Sequence, residues 1–242
     1  MTWKTKTKKL KWSEQSQFSR IDILDDNRVI EAYNKIDAIN PYPFNHGLKH
    51  VKNVCHIMDR LCDKLNIIGE ERDALLIACA LHDIWQVDGR EEHGKKAKLF
   101  IINNYEKELQ TKKHYKDILD AVEKHDNACD VNDSLFSILV HFCDKMDFSK
   151  DRLEDNYKEK YRYYCYEEIN DIELIFNDND FGINIITNDT PNFGDVFLKE
   201  SFPKKVIKAI SVLAKKLHRK PIMKNNGKII LDANAFEKLI NN

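Results

Sequence analysis

Six residues of the 242-residue chain stand out together as candidate metal ligands: His50, His82, Asp83, His93, His125 and Asp144. Imidazole nitrogens and carboxylate oxygens suit divalent Mn, Fe, Zn or Mg. Each residue lies on or beside a segment with helical periodicity. Helices of a bundle can direct such side chains to one interior point. The strongest element is the adjacent pair His82-Asp83, which closes the wholly apolar run Ala74–Leu81, ALLIACAL. A buried aspartate requires a charge partner, because isolated burial of a carboxylate is costly. A metal ion would supply one. The alternative is a His-Asp pair facing solvent at a helix C-terminus.

The elements that must position these residues read mainly as helices. Val29, Ile30, Tyr33, Ile36 and Ile39 recur at three- and four-residue spacing from about Asp26. Asn40-Pro41-Tyr42-Pro43 then breaks the chain. A helix over about 45–66 carries the stripe Val51, Val54, Cys55, Met58, Leu61, Cys62 and Leu65. The run 74–81 is apolar all round, as a central buried helix would be. Further helices are expected over about 92–103, 113–125 and 134–146, then a charged, tyrosine-rich one over 150–169. Asp171–Asn177 and Phe181–Thr187 alternate at period two and predict a β-hairpin. A helix from Phe202-Pro203 to His218, a turn at 225–228 before Ile229-Ile230-Leu231, and a last helix over 234–240 complete the chain.

The fold class expected is mainly α. A basic lead-in covers residues 1–20, a helical body 21–170, and a small α/β appendage 171–242 packed on that body. Apolar residues at 42% support a sizeable core, and only 7 glycines and 5 prolines argue against a many-turned β-sandwich. The formal net charge of -1 gives no overall electrostatic case for nucleic acid. The lysine-rich N-terminus reads as a solvated arm or a weak anion-binding one. Six cysteines without a CxxC pair read as reduced, core-packed thiols. No membrane span and no signal peptide are evident, so a cytoplasmic location is expected.

The order of these residues resembles the HD superfamily of metal-dependent phosphohydrolases. The matching segments are Asn45-His46-Gly47-Leu48-Lys49-His50-Val51, then Ala80-Leu81-His82-Asp83-Ile84, then Asp144-Lys145-Met146-Asp147. The resemblance covers roughly residues 28–150. It implies an HD-type helical bundle in which His50, His82, Asp83 and Asp144 bind a metal. It further implies that His93 and His125 hold a second ion, with Asp83 bridging the two. The alternatives are a solvent-facing His93 in the charged run 90–96, or unligated histidines that face substrate. Asp126 and Asp147 would accept hydrogen bonds behind the ligands, and His141 could share the face of Asp144.

Around the metal, His46 would face substrate phosphate or protonate the leaving group. Lys145 would neutralise phosphoryl charge, and Arg90 could clamp a phosphate bidentately. The donor set does not discriminate among Mn, Fe, Mg, Zn, Co and Ni. The chain departs from parts of the superfamily pattern. The HD pair is often followed by Gly-Lys, and here Ile84-Trp85-Gln86 follows. The missing lysine and the lack of a GYP motif speak against the cyclic-dinucleotide phosphodiesterase branch.

The resulting expectation is hydrolysis of a phosphate ester of a nucleotide or related small molecule through a metal-activated water. The competing readings are an HD nuclease on single-stranded nucleic acid and a non-catalytic metal or nucleotide sensor. The apolar face of the hairpin is expected to dock on the helical body, on a second copy in a homodimer, or on both.

Overall fold

The computed structural model describes residues 23–39, 42–86, 91–127, 129–158, 164–188 and 192–241. The basic lead-in 1–20 lies outside them. The chain divides into two compact units. Within the described residues, one takes in 23–129 and 133–147, the other 130–132 and 148–241.

The first unit is a bundle of helices: α1 (Asn27–Ile39), α2 (Leu48–Leu65), α3 (Gly69–Leu81), α4 (His93–Leu109), α5 (Tyr115–Lys124) and α6 (Leu135–Lys145). Helix α3 packs against α2, α5 and α6. It is buried continuously from Asp73 to Leu81, which is why its sequence is apolar all round. Helix α2 turns one face inward, through Val51, Val54, Cys55, Met58, Leu61 and Cys62. Its C-cap Asn66 is left-handed and returns its N–H to the Cys62 carbonyl. Gly69 opens α3 at φ +62°, a conformation that costs glycine nothing. Ser134 caps α6 by accepting from the Ser137 N–H at 3.1 Å. The Tyr33 hydroxyl donates to the Ala80 carbonyl at 2.9 Å and ties α1 to the end of α3. All six cysteines are buried, unbridged thiols.

The second unit contains short helices α7 (Asp155–Lys158), α8 (Tyr164–Glu167) and α9 (Phe193–Phe197), the long α10 (Ser201–Lys216) and α11 (Ala233–Asn241). Its strands are β1 (Ile169–Phe176), β2 (Asp180–Thr187), β3 (Lys220–Asn225) and β4 (Lys228–Leu231). They form one sheet in the order β1-β2-β3-β4. The β1-β2 and β3-β4 pairs are antiparallel, and β2-β3 is parallel. Ile172, Leu174 and Phe176 stand opposite Ile185, Ile183 and Phe181. Helix α10 packs on β2 and β3, and α11 on β3 and β4. Gly182 faces Ile222 across the parallel pair, and a Cβ there would fall 1.7 Å from the Ile222 carbonyl oxygen.

Two features differ from the sequence reading. The helix expected over 150–169 is not continuous. A 3-10 turn at Lys150–Arg152 passes into extended Leu153, and strand β1 has begun at Ile169. Leu153 and Arg152 are buried there, so tertiary packing overrides the local helical composition. Strand β3, KPIMKN, was not anticipated, because its lysines and proline give no alternation. Its strand character comes from pairing with β2.

A candidate dinuclear metal centre

Five helix ends of the first unit meet at the polar residues. His50 lies in the first turn of α2, His82 caps the C-terminus of α3, and Asp83 follows it. His93 is the first residue of α4, His125 caps the C-terminus of α5, and Asp144 lies in the last turn of α6. All six are buried. The C-termini of α3, α5 and α6 bring partial negative charge, which favours a cation.

The ligand atoms fall into two groups. In the first, His50 Nε2 lies 3.2 Å from Asp144 Oδ1 and 3.6 Å from Asp83 Oδ2. His82 Nε2 lies 3.4 Å from Asp83 Oδ2 and 3.7 Å from Asp144 Oδ1. In the second, His125 Nε2 and His93 Nε2 lie 3.1 and 3.5 Å from Asp83 Oδ1, and 2.9 Å from each other. Within each group a set of such atoms lies within 4.8 Å of one another. Ligands about 2.1 Å from a shared ion stand roughly 3.0–3.4 Å apart, so these separations suit one ion in each group. Asp83 gives one oxygen to each.

The imidazole tautomers are fixed from behind. His82 Nδ1 donates to the Cys79 carbonyl at 2.7 Å, and His125 Nδ1 donates to the Val122 carbonyl at 2.7 Å. Both histidines thereby satisfy a carbonyl that the helix end would otherwise leave unpaired. A carbonyl can only accept, so Nδ1 carries the proton and a neutral ring turns its Nε2 lone pair to the centre. His50 does the same through Asp147, whose Oδ2 lies 2.7 Å from its Nδ1. Such outer hydrogen bonds are typical of metal-ligating histidines. His82 Nε2 is fully buried and has no hydrogen-bond partner. A buried polar atom in that state is costly unless a ligand meets it. This orphan atom and the donor set fit a divalent cation.

The electrostatics agree. Burial works against ionisation of Asp83, yet His82 and hydrogen bonds from His125 and His46 hold its carboxyl well below the usual carboxylate range. Asp144 is likewise ionised against burial, by Lys145, His50 and His82. Burial opposes the charged form of His82 too, but Asp83 and Asp144 raise its pKa to about 10. Without an ion, a proton on His82 supplies the missing positive charge by attraction across 3.4–3.7 Å, without a hydrogen bond. Burial lowers the pKa of His125, and the nearby His82 imidazolium acts the same way, against the hydrogen bond to Asp83.

The remaining expected residues are placed as follows. His46 Nδ1 lies 3.1 Å from Asp83 Oδ2. The Lys145 ammonium is buried between Asp144 and Asp126, with Asp126 Oδ1 at 3.4 Å. His141 donates from Nδ1 to the His125 carbonyl at 2.7 Å, and burial with nearby Lys145 lowers its pKa to about 4. Arg90 lies outside the described residues. Sequence reasoning missed Gln86, whose Nε2 donates to Asp83 Oδ1 at 2.6 Å while its buried Oε1 has no partner. The available signal was its position one turn after Asp83.

A family model of the HD domain matches residues 47–149. Those residues form an HD domain. The match begins at the N-cap of α2 and ends just past Asp147, so it takes in both ligand groups. The HD domain belongs to a superfamily of metal-dependent phosphohydrolases, and its divalent-metal requirement agrees with the buried His/Asp centre. A search of curated proteins finds no match to the chain. Among the described residues, no helix is long and apolar enough to cross a membrane.

Proposed function

We propose that the protein hydrolyses a phosphate ester of a nucleotide or related small molecule at a centre of two divalent ions. The observation that carries this reading is the division of Asp83: Oδ2 faces His50 and His82, and Oδ1 faces His93 and His125. His50, His82, Asp83 and Asp144 would hold one ion, and Asp83, His93 and His125 the other. A divalent pair lowers the pKa of water and draws charge from the phosphoryl oxygens.

The chain's own groups then divide the remaining work. Asp83, Asp144 and their histidines would hold the cations. Lys145 offsets the charge of buried Asp144 and of exposed Asp126, so both carboxylates stay ionised. His46 is tied through Nδ1 to Asp83 Oδ2, and its other nitrogen faces away from that carboxylate. We assign it to protonating the leaving oxygen. The near-neutral net charge supports a small substrate over a polyanionic one.

The test is a panel of nucleotides, generic phosphate esters and oligonucleotides with Mn, Mg, Fe, Co or Ni, alongside metal analysis. Turnover of a nucleotide or small ester, lost in Asp83→Asn, is expected. Turnover confined to oligonucleotides would move the assignment to a nuclease. Metal binding without turnover of any substrate would make the domain a sensor.

A further inference from the structure

We propose that Gly94 is a positioning residue that sets the contact between His93 and His125, and thereby decides whether the second ion is held. This rests on the two-ion reading above. Gly94 is the second residue of α4 and is buried. A Cβ there would fall 2.5 Å from the Glu123 carbonyl oxygen, 3.0 Å from the Val122 carbonyl oxygen and 3.1 Å from the Glu123 carbonyl carbon. These are backbone atoms at the end of α5. They cannot swing aside as a side chain would.

Glycine at this position is not needed for its backbone freedom. The described glycines with positive φ are Gly69 and Gly227. Inside a helix, glycine is less favourable than alanine. What glycine provides here is space, and the space lets the N-terminus of α4 close onto the C-terminus of α5. Lys98 and Glu123, joined at 2.7 Å, hold the same two helices together one turn further on.

The carbonyls that Gly94 approaches belong to the site. Val122 O is the acceptor that orients His125 through Nδ1 at 2.7 Å. His93 is the immediate neighbour of Gly94, and its Nε2 lies 2.9 Å from His125 Nε2. A methyl at 94 therefore displaces one ligand by pushing α4 outward and disturbs the other by pressing on its anchoring carbonyl. In the first group, His50, His82 and Asp144 come from α2, the C-cap of α3 and α6, outside the α4-α5 contact that Gly94 makes.

The experiment is reconstitution of the whole chain with Mn(II), read by ion content and electron paramagnetic resonance. Wild type is expected to hold two exchange-coupled ions. Gly94→Ala should hold one, with an uncoupled six-line signal, and bind the second at least about tenfold more weakly. A merely structural glycine would lower thermal stability and leave the coupling intact. If Gly94→Ala does not fold, adding Lys98→Ala releases the clamp, and that double variant should fold and still hold one ion. Two coupled ions in either variant would overturn the proposal, as would failure of both to fold. One ion in wild type would instead overturn the two-ion reading. The role of Gly94 is then read from the imidazole nitrogen resonances of His93 and His125. They shift in Gly94→Ala if it sets their contact, and unchanged resonances would overturn it.

Discussion

His50 and Asp147, 97 residues apart in sequence, are joined by one hydrogen bond of 2.7 Å from imidazole Nδ1 to carboxylate Oδ2. Asp147 also receives the Asn53 amide at 3.3 Å. The carboxylate therefore sets which nitrogen of His50 carries the proton and which faces Asp83 and Asp144. Removing it as Asp147→Ala should leave all of the proposed ligands in place and lower first-ion affinity about 10–100-fold. Competitive titration with a chelating dye measures this, and affinity within twofold of wild type would count against the role.

Ion binding at the first group should expel a proton. His82 has its pKa raised to about 10, so the metal-free protein carries its imidazolium through the neutral range. Coordination needs the bare Nε2, so about one proton per chain should leave on binding between pH 7 and 9. Affinity should accordingly rise with pH. The sign for stability is opposite. The raised pKa stabilises the metal-free fold fully below about 6.5, and this stabilisation is lost as pH rises through about 10. Calorimetry in buffers of different ionisation heat reads the proton directly, and a buffer-independent heat would sink the argument.

Gln86 offers a separation of stability from metal binding. Its amide gives Asp83 Oδ1 a 2.6 Å hydrogen bond and leaves its own buried oxygen unsatisfied. Gln86→Leu removes both, so the gain and the loss should cancel to within about 1 kcal/mol in thermal unfolding. The affinity for the ion facing Asp83 Oδ1 should fall about tenfold, because the carboxylate loses its support. Gln86→Lys should weaken that ion further by adding a buried positive charge. An affinity order with lysine above leucine is the result that would reject this account.

Gly47 should tolerate what Gly94 does not. It is the N-cap of α2, and a Cβ there would collide with the Asp37 carboxylate at 1.7 Å. Asp37 is exposed and can rotate away. Its partners, Asn45 at 2.8 Å and the Leu48 N–H at 3.4 Å, would be lost. Gly47→Ala should cost about 1 kcal/mol of stability, the value of a helix cap, and leave metal content unchanged. Thermal melts with metal analysis check both, and loss of either ion would show that the start of α2 is more rigid than this.

The sequence alone determined the helical body and the ligand types. Periodic apolar stripes in α1 and α2 and the uniformly apolar α3 leave few arrangements other than a bundle, because each stripe must be covered. His50, His82, Asp83 and Asp144 could be picked out because their order, with the apolar run before the His-Asp pair, resembles the HD pattern. The hairpin β1-β2 was legible for the same reason of local periodicity.

Only the tertiary structure decided the rest, since it depends on partners distant in the chain. Strand β3 has no alternation of its own and exists through its pairing with β2. The segment after Ser149 has a helical composition, but burial of Arg152 and Leu153 draws it out of helix. The division of Asp83 between two ligand groups, the carbonyls that set the His82 and His125 tautomers, and the Gly94 contact all arise where helix ends meet. Sequence periodicity reports which face of a helix is buried. It carries no measure of how closely two helix ends approach, and that distance is what brings His93 and His125 to 2.9 Å.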